Sequence, residues 1–523
     1  MRRALLPAII AALMAPAVAA WGQGRTPDGA ALYRDHCAAC HGVTRLGEMG
    51  PALVPESLAR LTPERAEKVI ARGRVATRMP AFQDTLSAAE IAALSRYIFS
   101  PPATVPVWDI AKMRASHRLQ TPRDRLPAKP IYHADPLNLF VVVEAGDHHA
   151  TILDGDRFVP LARFATPRAV HGGAKFSPDG RFLYLVSRDG WVIEYDLYGL
   201  VPVAKIRAGI NSRNIAVSAD GRYVAVANSL PDSLVILDAT DLTPVKVIPV
   251  VGDKGARSRL SAVYTAPPRH SFIAALKDLA EIWEIGYDAK AHPVYPGFVH
   301  SYETGHAEAL GDRTGPFAVR RIRLQTPIED FFFNQSYSLV IGASRALGGG
   351  QVINLNVGRK IADVALDGMP HLGSGISWKR NGHWVMATPN LRAAKVSVID
   401  MESWKTIATI PTLGPGFFMR SHKATPYAWV DVFSGPNRDA IQVIDKRSLT
   451  IVRTLRPAPG KTSMHIEFTR DGAYALVSIW DMDGAIVVYD AKTLEEFKRL
   501  PMKKPVGKYN VFNKITYSAG TSH

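Results

Sequence analysis

The chain has 523 residues, 47% hydrophobic and 21% charged, the balance of a globular protein and not of a disordered or collagen-like one. Two cysteines exclude a disulfide-stapled scaffold and any four-cysteine zinc site, while 40 glycines and 37 prolines favour short strands joined by many turns. A net charge of +16 suits nucleic acid, an acidic protein or a small polyanion, and so narrows function little.

Arg2 and Arg3 precede an apolar run from Ala4 to Ala15, and Ala17-Val18-Ala19 supplies the small residues of a cleavage site. Residues 1–20 are therefore expected to be a secretory signal peptide, which places the mature chain in the periplasm. The run is short of the roughly 20 apolar residues a bilayer requires, and no later segment comes closer, so no integral membrane segment is expected.

Cys37-Ala38-Ala39-Cys40-His41 is the C-x-x-C-H pattern of covalent haem attachment. Cysteines three apart share a helix face and can form thioethers to one porphyrin, while the adjacent His41 projects its imidazole at the iron. Pro27 to His36 has helical spacing, and Leu86 to Phe99 is an amphipathic helix with Ser87 as its N-cap. Between them Met79, in a loop stopped by Pro80, is the expected sixth iron ligand, with Met49 as its rival. Residues 21–101 are predicted to form a small all-α, class-I-like cytochrome c domain holding one haem c. Pro101, Pro102 and Pro106 then open a linker over 102–134.

From residue 135 the pattern changes to short alternating strands. Phe176 to Val186 (FSPDGRFLYLV) returns as Val217 to Val226 (VSADGRYVAV), with further copies near Leu137, Pro268, Phe333, Trp378, His422 and Phe468. About eight units at a spacing of roughly 40–50 residues predict an all-β, eight-bladed propeller over 135–523. Asp-Gly pairs at 179–180, 220–221 and 471–472 supply tight turns. Gly297 to Arg323 interrupts the repeat and is expected to be an inserted loop.

A c-type cytochrome followed by such a propeller resembles the cytochrome cd1 group, which holds nitrite reductase and its paralogues in haem d1 biosynthesis. The likeness is carried by Cys37 to Val43 (CAACHGV), Trp108 to Met113 (WDIAKM), Ala169-Val170-His171, Ser187-Arg188-Asp189, Ile210 to Arg213 (INSR), Met369-Pro370-His371 and Gly507 to Asn513 (GKYNVFN). It spans essentially the whole mature chain. The resemblance implies a central channel that holds haem d1, with His171 as its iron ligand and Arg188 and Arg213 as carboxylate binders. His371 and His422 match the distal histidines that protonate nitrite in the reductase, and Met419 to His422 opens a blade, so both are expected to face the channel.

His465 and the short segment before the haem-binding helix resemble instead the biosynthetic branch that oxidises dihydro-haem d1 to haem d1, turning a propionate into an acrylate. That reaction releases two electrons and two protons. His371 and His465 are the expected bases, Arg420 the expected carboxylate clamp, and Tyr509 orients the group or hands on a proton. Haem c then takes the electrons, for delivery to a periplasmic cytochrome or cupredoxin. Cytochrome cd1 nitrite reductase is the expected recipient of the product. Reduction of nitrite to nitric oxide and non-enzymatic carriage of haem d1 are the competing readings. Export and dispersed basic residues argue against nucleic acid.

Overall fold

The computed structural model describes residues 27–518 except 49, 59–60, 74–78, 105, 292–293, 295–315 and 344–348. The predicted signal peptide, Met49 and most of the predicted insertion lie outside the described residues.

Short capped helices build the N-terminal part. Gly29–His36 starts where the Asp28 carboxylate accepts the amides of Ala30 and Ala31, and Ala88–Phe99 starts in a capping box between Ser87 and Glu90. These two helices cross closely because residue 29 is glycine: a β-carbon there would lie 2.5 Å from the Ala93 carbonyl oxygen. With Pro63–Arg72 they enclose a core of Tyr33, Ala66, Ile70, Ile91, Leu94 and Ile98, against which Met79 also packs.

The rest of the described chain forms eight antiparallel sheets in sequence, each a blade of four strands, with a fifth on the second blade. Blade 1 is mixed in origin: the C-terminal strand Pro505–Asn510 pairs with Leu139–Glu144 and closes the ring. Inner strands such as Phe182–Ser187 and Tyr474–Ile479 are almost wholly buried, whereas outer ones such as Glu496–Met502 alternate towards solvent. A single blade cannot cover both of its apolar faces, and stacking in a closed ring does so. The repeated Asp-Gly turns are built alike. The carboxylate of Asp220 accepts from Ser218 Oγ and the Arg222 amide, that of Asp471 accepts from Thr469 Oγ1 and the Ala473 amide, and the following glycine takes a positive φ.

Two predicted boundaries differ. Within the expected linker over 102–134, Met113, on helix Ile110–Ser116, is fully buried in the core of blades 2 and 3, and Arg118–Leu119 is the fifth strand of blade 2. Sequence reasoning saw the linker's prolines and missed the apolar face of so short a helix. The end of the predicted insertion, Val319–Arg323, is the outer strand of blade 4, paired with Glu281–Gly286. No helix among the described residues is long and apolar enough to cross a membrane.

Candidate functional site

Cys37 is the N-cap of the short helix Ala38–His41 and Cys40 lies within it, with both thiols free of any disulfide. His41 is buried, and its Nδ1 lies 2.7 Å from the Pro51 carbonyl oxygen. A carbonyl only accepts, so Nδ1 carries the proton and Nε2 presents a lone pair, the form a metal ligand requires. A β-carbon at Gly50 would fall 2.6 Å from the imidazole, so glycine there makes room for the ring. Burial also pushes the His41 pKa down, keeping it neutral. Cys37, Cys40 and His41 fit covalent haem c, and the placement of Met79 in the same core is compatible with a sixth ligand.

A second site lies in the propeller channel, in a cavity of about 500 Å³. It collects residues from blades far apart in sequence: His171, Arg213, Asp330, His371, Arg420, His465, Tyr509 and Lys514 all line it. Phe417, Phe418, Phe433, Met369 and Trp480 supply broad apolar surface, and the cationic lining side chains are Lys175, Arg213, Arg392, Arg420 and Lys514. Apolar side chains and several cations lining one cavity fit a planar macrocycle bearing several carboxylates.

His171 and His371 repeat the design of His41. His171 Nδ1 donates to the Arg213 carbonyl at 2.7 Å and His371 Nδ1 to the Phe417 carbonyl at 2.7 Å, so each ring turns an unprotonated Nε2 outward. The His371 Nε2 stands 3.8 Å from Asp330 Oδ2, and that carboxylate is itself held by the Gly373 amide and the Tyr264 hydroxyl. Arg188 does not line the cavity, yet its guanidinium donates to His171 Nε2 at 2.9 Å. Were His171 to ligate an iron through Nε2, the metal would replace this hydrogen bond to Arg188.

His465 reaches the cavity through a backbone irregularity. The strand register shifts between Met464 and Ile466, and His465 takes a left-handed φ of 55°, so the bulge aims its ring inward. Its amide donates to Asp431 Oδ2 at 3.1 Å, and the Lys508 ammonium donates to its carbonyl. Asp431 also accepts the amides of Phe417 and Phe418, so one buried carboxylate, raised to about 6 by desolvation, fixes both sides of the pocket. The ring packs against Phe418 and edge-on to Tyr509, at centroid distances of 4.6 and 5.1 Å. Its Nδ1 is buried without a hydrogen-bond partner among the described residues, which leaves it for a bound molecule. Burial, then the charges of Lys508, Arg420 and Lys514, drive the His465 pKa well down and keep it neutral.

Tyr509 enters the channel because residue 173 is glycine: a β-carbon there would sit 3.0 Å from its ring. Lys514 and Arg420 share the Glu467 carboxylate, at 3.4 and 3.8 Å. Desolvation lowers Lys514 to about 7 and Lys175 to about 8. Neither lysine stood out in the sequence, where Lys514 is one residue beyond the Gly507–Asn513 match. His422 is placed elsewhere. Strand Met419–Ser421 ends before it, and the ring packs near Phe468 and over Gly472, lining a different cavity with Trp378, Lys446 and Arg447. The expectation that it faces the channel is thereby corrected: the strand is too short to carry it inward.

A covalent-haem helix packed beside a propeller whose channel presents imidazoles and cations to a macrocycle defines a two-centre tetrapyrrole oxidoreductase architecture. The Cytochrome D1 heme domain model matches residues 134–514, and the chain belongs to that family. Residues 24–98 match the model described as cytochrome C oxidase, cbb3-type, subunit III, in keeping with the haem-binding helix. The chain is 55% identical over 500 residues to the dihydro-heme d1 dehydrogenase of Pseudomonas aeruginosa, covering 96% of each. It is 24% identical over 538 residues to a nitrite reductase of Stutzerimonas stutzeri, covering 92% of each. A solved structure described as dihydro-heme d1 dehydrogenase NirN in complex with DHE superposes with a TM-score of 0.86 and 54% identity, covering 93% of this chain and all of that one.

Proposed function

We propose that the chain is a periplasmic oxidoreductase that converts dihydro-haem d1 to haem d1, turning one propionate into an acrylate. The observation that carries this reading is the convergence of His465, with its unpartnered Nδ1, on the same cavity as His171, His371 and Tyr509. The extensive identity to a dihydro-heme d1 dehydrogenase supports it, against the lower identity to a nitrite reductase.

His171 holds the substrate iron through Nε2. Arg420, Lys175 and Lys514 pair with the macrocycle's carboxylates, and Phe417 and Phe418 exclude water from its face. Removing two hydrogens from the side chain yields two protons and two electrons. His465 is neutral at neutral pH and takes one proton at its free nitrogen; His371 Nε2, with Asp330 behind it to stabilise the imidazolium, takes the other. Tyr509, edge-on to His465, orients the reacting group. Cys37, Cys40 and His41 would hold haem c, which would supply a one-electron acceptor for each of the two electrons, with a periplasmic cytochrome or cupredoxin as the external acceptor. The product then passes to a cytochrome cd1 nitrite reductase.

The test is to add half an equivalent of dihydro-haem d1 anaerobically to the oxidised haem c form, so that two haems c take the two electrons, and to follow haem c reduction and product mass. Loss of two hydrogens with haem c reduction is expected. Tight binding without oxidation, followed by nitrite turnover once reductant is supplied, would show the reductase instead, and binding with neither reaction a carrier.

A further inference from the structure

One arginine joins the two halves of the molecule. Arg207 ends Val201–Arg207, the fourth strand of blade 2, opposite Trp191; the Trp191 amide donates to Ser187 Oγ at 3.1 Å, and Ser187 pairs with Val170, the neighbour of His171. It is only 6% exposed. Its Nε donates to the Asp189 carbonyl at 2.9 Å, and its two terminal nitrogens donate to the carbonyls of Gly47 and Leu46 at 3.0 and 2.6 Å. Trp108 stacks on the guanidinium at 4.6 Å and donates its indole N–H to the Arg207 carbonyl at 2.8 Å.

Both ends of this fork lead to a ligand histidine. Leu46 and Gly47 lie in the loop after the C-x-x-C-H motif, where the Gly47 amide donates to the His41 carbonyl at 2.9 Å and Pro51 anchors the His41 ring. Asp189 follows Arg188, which bonds His171 Nε2, and its turn is braced by the Ala208 amide on the Gly190 carbonyl at 2.8 Å. Around the fork, Ala52, Val54, Ile210 and Leu230 form one apolar cluster with Leu46 and Trp108. That cluster gives adhesion without direction, whereas a planar fork onto fixed carbonyls sets register.

We infer that Arg207 is a positioning residue that clamps the His41 loop onto the channel rim and so fixes the electron path from the tetrapyrrole to haem c. The electron-path part rests on the oxidoreductase reading above; the clamp does not. The test uses the haem c holoprotein with Arg207→Leu and Arg207→Lys. Elastase cleavage within residues 101–107 is measured without tetrapyrrole. Haem c reduction is then followed after anaerobic addition of dihydro-haem d1, alongside tetrapyrrole affinity and direct reduction of haem c by ascorbate. Arg207→Leu is expected to be cleaved about tenfold faster and to reduce its haem c about tenfold more slowly, with affinity and ascorbate reduction unchanged. Arg207→Lys should fall between, because one ammonium cannot span the three carbonyls. If Arg207→Leu does not accumulate, Trp108→Leu removes the stacked face and is read the same way. Unchanged cleavage with unchanged haem c reduction overturns the clamp. Faster cleavage in a protein whose wild type never reduces haem c upholds the clamp and overturns the oxidoreductase reading.

Discussion

Replacing His171 with alanine removes an imidazole whose tautomer the Arg213 carbonyl has already set. Tetrapyrrole binding should weaken by about 10–100-fold, read by spectral titration, while the haem c bands stay unchanged. His465→Ala should do the opposite: binding survives, because no iron bond is lost, and single-turnover oxidation slows by about 10²–10⁴-fold, as removal of a proton acceptor does. Unchanged turnover would remove His465 from the chemistry. A third expectation concerns protons. Desolvation holds Lys514 near about 7 and Lys175 near about 8, so near pH 8 both lack part of the charge they would carry in water. A substrate carboxylate set against them favours their charged forms and raises both pKa values. Binding therefore takes up protons, and affinity should rise as pH falls from about 9 to about 6, with a slope of up to about two protons. Calorimetry in buffers of different ionisation enthalpy reads this number directly, and Lys514→Met should lower it by up to about one.

At the scale of single elements, what was legible in the sequence was what local chemistry dictates. The C-x-x-C-H helix, the Ser87 N-cap and the Asp-Gly turns need only neighbours in the chain, and each stands where it was expected. Side chains that depend on tertiary placement were not legible. Lys175 and Lys514 are two among 63 Lys and Arg residues, and nothing local marks a cation that faces a cavity. Asp330 and Asp431 act by holding backbone amides of other segments, which no spacing in their own strands announces. His422 misled because it follows directly on a strand that does present Arg420 to the channel, and strand Met419–Ser421 ends one residue too soon. A small element also carries a prediction. Gly173 has a φ of 76°, and a β-carbon there would press on the Tyr509 ring. Gly173→Ala should leave the propeller folded, by far-UV circular dichroism, yet displace Tyr509 and slow oxidation by about tenfold or more.

For the whole molecule, ring closure decides stability. The repeat period predicted eight blades, but it could not show that the last strand returns to the first blade, since that pairing joins residues at opposite ends of the propeller. The strand Pro505–Asn510 pairs with Leu139–Glu144, and the helix Val511–Thr516 behind it buries Val511 beside Leu139 and Val141. The same segment donates Tyr509 and Lys514 to the cavity, so closure and substrate site are built from one piece of chain. Deleting residues 505–518 would leave Leu139–Glu144 as an open, apolar edge and would expose the facing side of the neighbouring blade. The short helical domain keeps its own core, centred on Tyr33 and Leu94, and does not draw on that strand. The truncated chain should therefore lose the cooperative unfolding transition of the propeller, followed by tryptophan fluorescence, while the haem c spectrum persists. Adding the missing segment back as a separate peptide should restore part of that transition, because the edge it completes is preformed by blade 1. Retention of the full transition in the truncated chain would show instead that stacking between blades, and not closure of the ring, holds the propeller together.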